Sequence, residues 1–431
     1  MKKNHKLKLP RIGILGFGRE GRSVLRYLKQ SSQFKKSKIE ILDKKSGGNY
    51  LKGLARFDVI FRSPGIPYNL PELKKAREDG VYFSSVTRLF FENYKGKIIG
   101  ITGTKGKGTT STLLYKILKA AGQKVFLAGN IGKSALDALL QNKNYPMAVL
   151  EFSSFQLHDL DISPEVAVML DVFPDHQDAH TSLKEYYGAK ANIGRFQKKK
   201  DRIFYFADNA MSKKLAMRSP AKKISVDYRK FKEGDLAIKG LHNFRNAVMA
   251  ATVAASLGVD WATIKRVVKS YRGLEHRLEF TRKIGNVSFY DDSASTNPTT
   301  SAAAIQAFSD KRHETSKESV ILIAGGQDKG LDYSPLRTAL KKYRTEAVII
   351  FGENKNKIRA AIKNLGVPIK LVTNLKTAVS AAYRICQNST TYNLQPTTYA
   401  IIFSPGAASF DMFKDYADRG RKFKELVGKL K

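Results

Sequence analysis

The sequence predicts an α/β protein of three domains, each built on a mainly parallel sheet with helices on both faces. Three observations carry this expectation. Short apolar runs alternate with amphipathic helical stretches along the whole chain, and glycine-rich turns stand between such a run and a helix at Gly16 and again at Gly103. The length, 431 residues, is roughly two to four times that of a usual domain, so each part is large enough to bury a core.

From Arg11 the order is regular. Arg11 to Leu15 reads as a buried strand, Val24 to Leu28 lies on a helix, and Ile39 to Leu42 and Phe57 to Phe61 give two further strands. A second series opens with the strand Ile98 to Ile101. Next, Leu113, Leu114, Ile117, Leu118 and Ala121 share one helical face that Gly122 ends. Strands are expected at Val125 to Ala128, Ala148 to Phe152, Val166 to Val172 and Arg202 to Phe206. A third series starts near Glu279, with strands at Val287 to Tyr290, Val320 to Ala324, Ala347 to Phe351, Ile369 to Val372 and Tyr399 to Phe403. No repeat or low-complexity linker intervenes, which gives domains of 1–95, 96–278 and 279–431.

Composition narrows the function. The 76 Lys and Arg against 38 Asp and Glu give a formal charge of +38, a field that attracts anions generally. The basic residues are scattered, the densest run being Lys198-Lys199-Lys200, and neither an aromatic-and-basic nucleic-acid module nor a recognition helix is present. A lysine-rich solvated surface with phosphate-bearing substrates in its clefts is the reading, with no specific nucleic-acid partner. The single cysteine, Cys386, excludes an intramolecular disulfide, and no Cys/His cluster has zinc-ligand spacing. The stretch Ile12 to Leu15 is too short for a signal peptide or membrane span. A cytoplasmic protein without membrane insertion is expected.

Gly16-Phe-Gly18-Arg19-Glu20-Gly21 matches G-x-G-x-x-G between a strand and a helix, where free N–H groups and the helix dipole favour a pyrophosphate. Asp43 ends the next strand, where a ribose-binding acid belongs. An NAD(P)-dependent oxidoreductase is one hypothesis, a ligand-free tight turn another, and a different nucleotide a third. Ser63-Pro-Gly65-Ile66 is placed to wall the same site.

Gly103-Thr104-Lys105-Gly106-Lys107-Gly108-Thr109-Thr110 also lies between a buried strand and an amphipathic helix. Its N–H groups suit the phosphates of a nucleoside triphosphate, Lys107 the transferring charge, and a hydroxyl of Thr109 or Thr110 the Mg²⁺. Only two residues separate Gly103 from Gly106, and Gly108 fills the usual hydroxyl position. Glu151 at a strand end and Asp175-His176 after the next one offer Mg²⁺ ligands. On composition alone Lys190 reads as a surface lysine.

In order, these residues resemble the Mur ligases, the ATP-dependent amino-acid ligases of peptidoglycan synthesis. The likeness rests on Gly129-Asn-Ile-Gly132, Glu151-Phe-Ser-Ser-Phe-Gln-Leu157, Asp175-His176, Ala189-Lys190, His242-Asn243 with Asn246, and His276-Arg277. It continues through Asp292-Ser293 with Thr296-Asn297, Gly325-Gly-Gln-Asp-Lys329-Gly330 and Ser404 to Phe413, and so covers nearly the whole chain. It implies a Rossmann-like UDP-binding domain, a central P-loop ATPase domain and a Rossmann-like amino-acid-binding domain that closes over both. The implied reaction joins D-glutamate to UDP-N-acetylmuramoyl-L-alanine through an acyl phosphate, releasing ADP and phosphate.

Residue by residue, the resemblance implies that Lys107 and the loop N–H groups hold ATP, with Asn243 and Asn246 at its adenine end and His276, Arg277 and Asp292 completing the site. Thr109, Glu151, His176 and Lys190 become ligands of two Mg²⁺, Lys190 as a CO₂-derived carbamate whose oxygens replace an ammonium that would repel the metal. Lys107, Lys190, His176 and Glu151 form the catalytic set. Gly16, Gly18, Arg19, Glu20, Asp43, Ser63, Gly65, Asn130 and Ser153 fall to the UDP substrate, and Thr296, Lys329, Ser409, Phe410 and Tyr416 to the amino acid.

The sequence also departs from the pattern. Gly108 resembles the folylpolyglutamate synthetase loop, and Ala294 stands where the family motif D-S-K-A-T-N has lysine. Tyr416 replaces a phenylalanine, and Arg19 and Glu20 replace small or hydroxyl residues. A ligase for another amino acid or for a folate tail is the rival within the class. A monomer is expected.

Overall fold

A computed structural model of the chain describes residues 9–47, 49–129, 134–141, 144–175, 180–231, 236, 241–309, 318–390 and 398–431. Asn130 and His176, both expected site residues, lie outside them. The chain gathers into two compact units, which divide after Ser270.

The first unit holds two sheets. In the first sheet β1 (Arg11–Leu15), β2 (Lys38–Leu42), β3 (Val59–Arg62) and β4 (Tyr82–Ser84) run parallel in the order β2-β1-β3-β4. The second contains β5 (Lys97–Thr102), β6 (Val125–Gly129), β7 (Met147–Glu151), β8 (Val166–Met169), β9 (Arg202–Tyr205) and β10 (Lys222–Ser225), again all parallel, in the order β10-β9-β8-β5-β7-β6. The chain fills one side of β5 with β6 and β7 and then crosses to β8 on the other. β5 is therefore the strand at which the winding reverses, and ligand crevices form at the carboxyl ends of strands at such a point.

One buried apolar cluster joins the two sheets. It runs from Ile12, Ile14, Val24 and Phe90 to Ile98, Ala128, Leu136 and Leu150. Arg62 crosses the same boundary, with its guanidinium 3.0 Å from Asp159 and almost wholly buried. A charge at that depth is tolerable because the carboxylate and the Ile66 carbonyl, 2.6 Å away, replace its hydration.

The second unit, from Tyr271 onward, has one six-stranded sheet. Its strands are β11 (Glu279–Ile284), β12 (Val287–Asp291), β13 (Glu318–Gly325), β14 (Thr345–Phe351), β15 (Ile369–Leu371) and β16 (Thr398–Phe403), ordered β11-β12-β16-β13-β14-β15. β11 pairs antiparallel with β12, and the other pairs are parallel. Among the described residues no helix is long and apolar enough to cross a membrane.

Three short or exposed strands, β4, β10 and β11, were not expected. The strand expected over Val166 to Val172 stops at Met169, because past Leu170 the backbone turns to the glycine loop after β5, where the Asp171 carbonyl accepts the Thr104 N–H at 2.8 Å.

The glycine turn after β1 depends on close approach. A Cβ on Gly21 would lie 2.2 Å from the Gly16 carbonyl oxygen, far inside contact distance. Gly21→Ala is therefore expected to force the helix Arg19–Gln30 off the sheet and destabilise the protein by about 2 kcal/mol, measured as a lowered urea midpoint. An unchanged midpoint would show that the turn yields freely.

Candidate functional site

The centre of the site is the loop between β5 and the helix Lys107–Ala120. Thr102, the last residue of β5, donates its hydroxyl to the Phe152 carbonyl at 2.9 Å. Thr104 is held from two sides: its N–H on Asp171, and its hydroxyl 2.9 Å from the Tyr186 hydroxyl while accepting the Phe173 N–H at 2.9 Å. Gly106 takes φ 86° at the helix start, and a Cβ there would meet Asn246 Oδ1 at 2.1 Å. Only glycine fits both demands. Lys107 folds over the loop, donating from Nζ to the Gly103 and Thr104 carbonyls at 3.1 and 3.0 Å. Lys105 is exposed, Gly108 and Thr109 are part-buried, and Thr110 is fully buried. Of the two threonines, only Thr109 retains access to the loop surface.

Lys190 is not a surface lysine. It lies on the helix Leu183–Arg195, is 2% exposed, and donates from Nζ to the Gly103 carbonyl at 2.7 Å. Tyr186, one turn earlier on the same helix, presents its ring 4.8 Å from that Nζ. Burial, followed by the positive charge of Lys107, holds the Lys190 amine well below the usual lysine range, and Asp175 and Glu151 oppose this only partly. Glu151, the last residue of β7, is itself buried. The structure thus brings the amines of Lys107 and Lys190 onto one carbonyl of the loop, with Asp175 and Glu151 in electrostatic reach of Lys190.

Asn243 and Asn246 lie one turn apart at the start of the helix Leu241–Ser256. Between them Arg245 makes a two-pronged bond to Asp171, at 2.9 and 2.7 Å, and reaches Asp208 at 2.5 and 3.0 Å. Its guanidinium covers the Phe206 ring at 4.1 Å. Sequence reading passed over Arg245, Asp171 and Tyr186. Tyr186 had a signal, the four-residue spacing that puts it on the face of Lys190.

At the first glycine turn, Gly16 takes φ 86° and its carbonyl accepts the Ser63 hydroxyl at 2.7 Å. Gly18 caps the following helix, and Gly65 is exposed. The Asp43 carboxylate accepts the Phe17 N–H at 2.5 Å and the Lys45 N–H at 2.9 Å. Those bonds hold its pKa below the usual range and commit both oxygens to the loop backbone. Arg19 donates to the Gly129 carbonyl at 3.1 Å. Glu20 accepts from Gln156 Nε2 at 2.8 Å, and burial raises its pKa. Ser153 caps the short helix Ser154–Leu157, its hydroxyl accepting the Gln156 N–H while Gln156 Oε1 accepts the Ser153 N–H. Gln156 thus links the Ser153 cap to Glu20 of the first sheet's helix.

In the second unit, His276 and Leu278 take φ 63° and 44°, conformations that side chains rarely adopt. Both are anchored: His276 Nδ1 lies 2.7 Å from Asp291 Oδ2, with both residues buried, and the Leu278 N–H donates to Asp292 at 3.1 Å. Arg277 is exposed between them, an arrangement in which fixed neighbours present a cation to solvent. Asp292 also accepts the Ser295 and Ser404 hydroxyls, at 2.5 and 2.6 Å, and burial pushes its pKa up to about 6. Lys329 Nζ sits 5.2 Å from the ring of Phe410, which is 61% exposed. Ser409 is buried, Thr296 part-buried, and Tyr416 meets His276 edge-on at 6.3 Å. Arg419, which the sequence did not single out, is wholly buried. It ties the Ser293 hydroxyl and carbonyl, at 3.0 and 2.9 Å, to the Ala408 carbonyl at 3.1 Å, fixing the turn beside Ser409 to the end of β12.

Known proteins resemble this chain in sequence and in fold. The Mur ligase middle domain matches residues 101–250, and the Mur ligase glutamate ligase domain matches residues 276–394. The UDP-N-acetylmuramoylalanine–D-glutamate ligase of Acetivibrio thermocellus is 34% identical over 99% of this chain and 97% of its own. The ligase of the same name from Clostridium acetobutylicum is 33% identical over 99% and 98%. In fold, the chain is similar to the UDP-N-acetylmuramate-alanine ligase of Thermotoga maritima, with TM-score 0.55 and 18% identity over 97% of this chain and 99% of that one. It is also similar to the Mycobacterium tuberculosis folylpolyglutamate synthase complexed with ADP, with TM-score 0.60 and 16% identity over 79% and 93%.

Asp292 gives the second unit a pH signature. Below about pH 3 the carboxyl is protonated both folded and unfolded. As pH rises, the unfolded chain loses this proton first, so stability falls until the folded pKa of about 6 is passed. Relative to Asp292→Asn, the wild type should lose about 3 kcal/mol between pH 3 and pH 7, read from paired thermal melts. Parallel pH profiles for the two proteins would exclude a buried, proton-holding Asp292.

Proposed function

The chain belongs to the Mur ligase family, and we infer that it is the ATP-dependent ligase that adds D-glutamate to UDP-N-acetylmuramoyl-L-alanine in peptidoglycan precursor synthesis. Relatives that carry this activity in their names match essentially the full chain. The structural observation that carries the reading is the amine of Lys190, buried against the Gly103 carbonyl of the phosphate loop.

The donor set there suits Mg²⁺, since the buried Glu151 carboxylate and Asp175 lie in the electrostatic reach of Lys190. Lowering the amine's pKa favours its unprotonated form, which is the form that reacts with CO₂. Its carbamate would keep one N–H for Gly103 and add two anionic oxygens. Thr109, Glu151, carbamylated Lys190 and His176 are the proposed ligands of two Mg²⁺, which when bound would offset charge on the transferring phosphoryl group.

The loop N–H groups and Lys107 hold the β- and γ-phosphates in line with the muramoyl carboxylate, and Arg277 adds positive charge. Attack by that carboxylate expels ADP and leaves an acyl phosphate. The amine of D-glutamate then attacks the acyl carbon and phosphate departs. ATP is needed because an amide does not form spontaneously from a free carboxylate in water. Asn243, Asn246, His276 and Asp292 complete the proposed nucleotide site. Gly16, Gly18, Arg19, Glu20, Ser63, Gly65, Asn130 and Ser153 serve the UDP substrate, with Asp43 shaping their loop. Lys329 is placed to pair a glutamate carboxylate beside Ser409, Phe410, Thr296 and Tyr416. The proposed domains remain 1–95, 96–278 and 279–431, and the protein acts as a cytoplasmic monomer.

Phosphate release with ATP, Mg²⁺ and UDP-N-acetylmuramoyl-L-alanine should require D-glutamate and be absent with L-glutamate; silence with D-glutamate sinks the assignment. Lys190→Ala should keep its fold and lose about 100-fold or more in turnover. ¹³C-bicarbonate should label a carbamate carbon in the wild type and not in this variant. Normal turnover by Lys190→Ala would remove the carbamate.

A further inference from the structure

A cavity of about 200 Å³ lies within the first unit, between the segment that follows Gly65 and the helix that carries Lys190. Three side chains on its wall, His158, His180 and Glu185, offer ring nitrogens and a carboxylate oxygen within 4.8 Å of one another. His158 Nε2 stands 3.0 Å from Glu185 Oε1. In a tetrahedral zinc shell with bonds of about 2.0–2.1 Å, neighbouring ligand atoms are about 3.3 Å apart. The widest separation therefore has to close by about 1.5 Å at most.

The surroundings are those of a supported metal shell. His180 Nε2 is 2.9 Å from the Ser154 hydroxyl, and the His180 ring lies flat on Phe155, with centroids 5.0 Å apart and planes 4° apart. Those contacts fix the orientation of the ring. Glu185 is oriented by the Thr181 N–H at 2.6 Å and by the Asn69 amide. Ligating histidines and carboxylates are characteristically steadied by such outer contacts. The Arg62 charge facing the cavity is paired with Asp159 at 3.0 Å, and Arg77 lies over the Tyr68 ring at 4.1 Å.

We propose that His158, His180 and Glu185 bind one divalent transition ion of the zinc type, with the cavity supplying its open position. Two imidazoles and one carboxylate select Zn²⁺ or Co²⁺ over Mg²⁺, which takes oxygen ligands. The site is separate from the phosphate loop. Filling it would tie the Tyr68–Asn69 segment to the helix Leu183–Arg195.

The test is calorimetric titration of the chelator-stripped full chain with Zn²⁺, in excess Mg²⁺ so that oxygen-rich sites are filled. One Zn²⁺ per chain is expected, lost in His158→Ala and in His180→Ala, weakened about 10-fold in Ser154→Ala, and unchanged in Lys190→Ala. Co²⁺ should give the intense visible absorption of a low-symmetry site, absent in His158→Ala. His158→Gln, with its melting temperature checked, serves if the alanine variant does not fold. The proposal is overturned if the wild type takes up no Zn²⁺, if uptake survives both histidine changes as an adventitious ion does, or if it disappears with Lys190.

Discussion

A lysine amine buried at the carboxyl end of a parallel sheet, 2.7 Å from the Gly103 carbonyl, is the constraint on which the rest of the central site depends. An unpaired ammonium at that depth is expensive, so the position favours a neutral amine or an amine converted to something else. It also demands that the loop present a carbonyl inward, and the helix Leu183–Arg195 enforces this at two points, through Lys190 on Gly103 and Tyr186 on Thr104. The remaining supports come from the segment after β8, through Asp171, and from the helix Leu241–Ser256, through Asn246 against Gly106. Three segments distant in sequence thus converge on three loop residues, which explains why β8 must lie beside β5 and why its strand ends early.

The strands that were legible in the sequence are those buried on both faces, such as β5 and β16, whose apolar runs leave little ambiguity. β10 and β11 escaped because they are exposed edges with the polar sequences Lys-Lys-Ile-Ser and Glu-Phe-Thr-Arg-Lys-Ile. The glycine loops were legible for a different reason, since their spacing reflects backbone geometry that only glycine satisfies. Lys190 was legible only through its resemblance to a family, because nothing local marks a lysine for burial. Arg245 and Arg419 gave no signal, since their partners Asp171 and Ser293 stand 74 and 126 residues away. The same holds for His158, His180 and Glu185, which have no zinc-ligand spacing and meet only because the segment after β7 folds back on a later helix.

Asp43 shows that the acid of a ligand fingerprint can also serve the turn itself. A strand, G-x-G-x-x-G and a following acid describe a dinucleotide site, yet the acid here closes the glycine turn by accepting two backbone N–H groups. Gly21 is required by its approach to the Gly16 carbonyl whatever ligand the turn meets. The motif therefore specifies how a helix is joined to a sheet, and ligand identity is decided by what surrounds the turn. Arg19 and Glu20 reach toward Gly129 and Gln156 of the second sheet, which makes the turn part of the border between the two sheets.

Buried cations are handled in three different ways in this strongly basic chain, and the difference separates support from chemistry. Arg62 is paired with a carboxylate and bridges two sheets. Arg419 has hydroxyl and carbonyl oxygens as its hydrogen-bond acceptors, and burial pulls its pKa down to about 10, still far enough above neutrality to remain charged and hold its turn. Among the described residues Lys190 has no carboxylate bonded to its amine, and burial and then the charge of Lys107 hold its pKa well below the usual lysine range. A net charge of +38 works in the same direction everywhere, favouring loss of protons from lysines and the approach of anions. Every reactant of the proposed ligation carries negative charge, so the field that favours proton loss from Lys190 also favours the approach of such substrates.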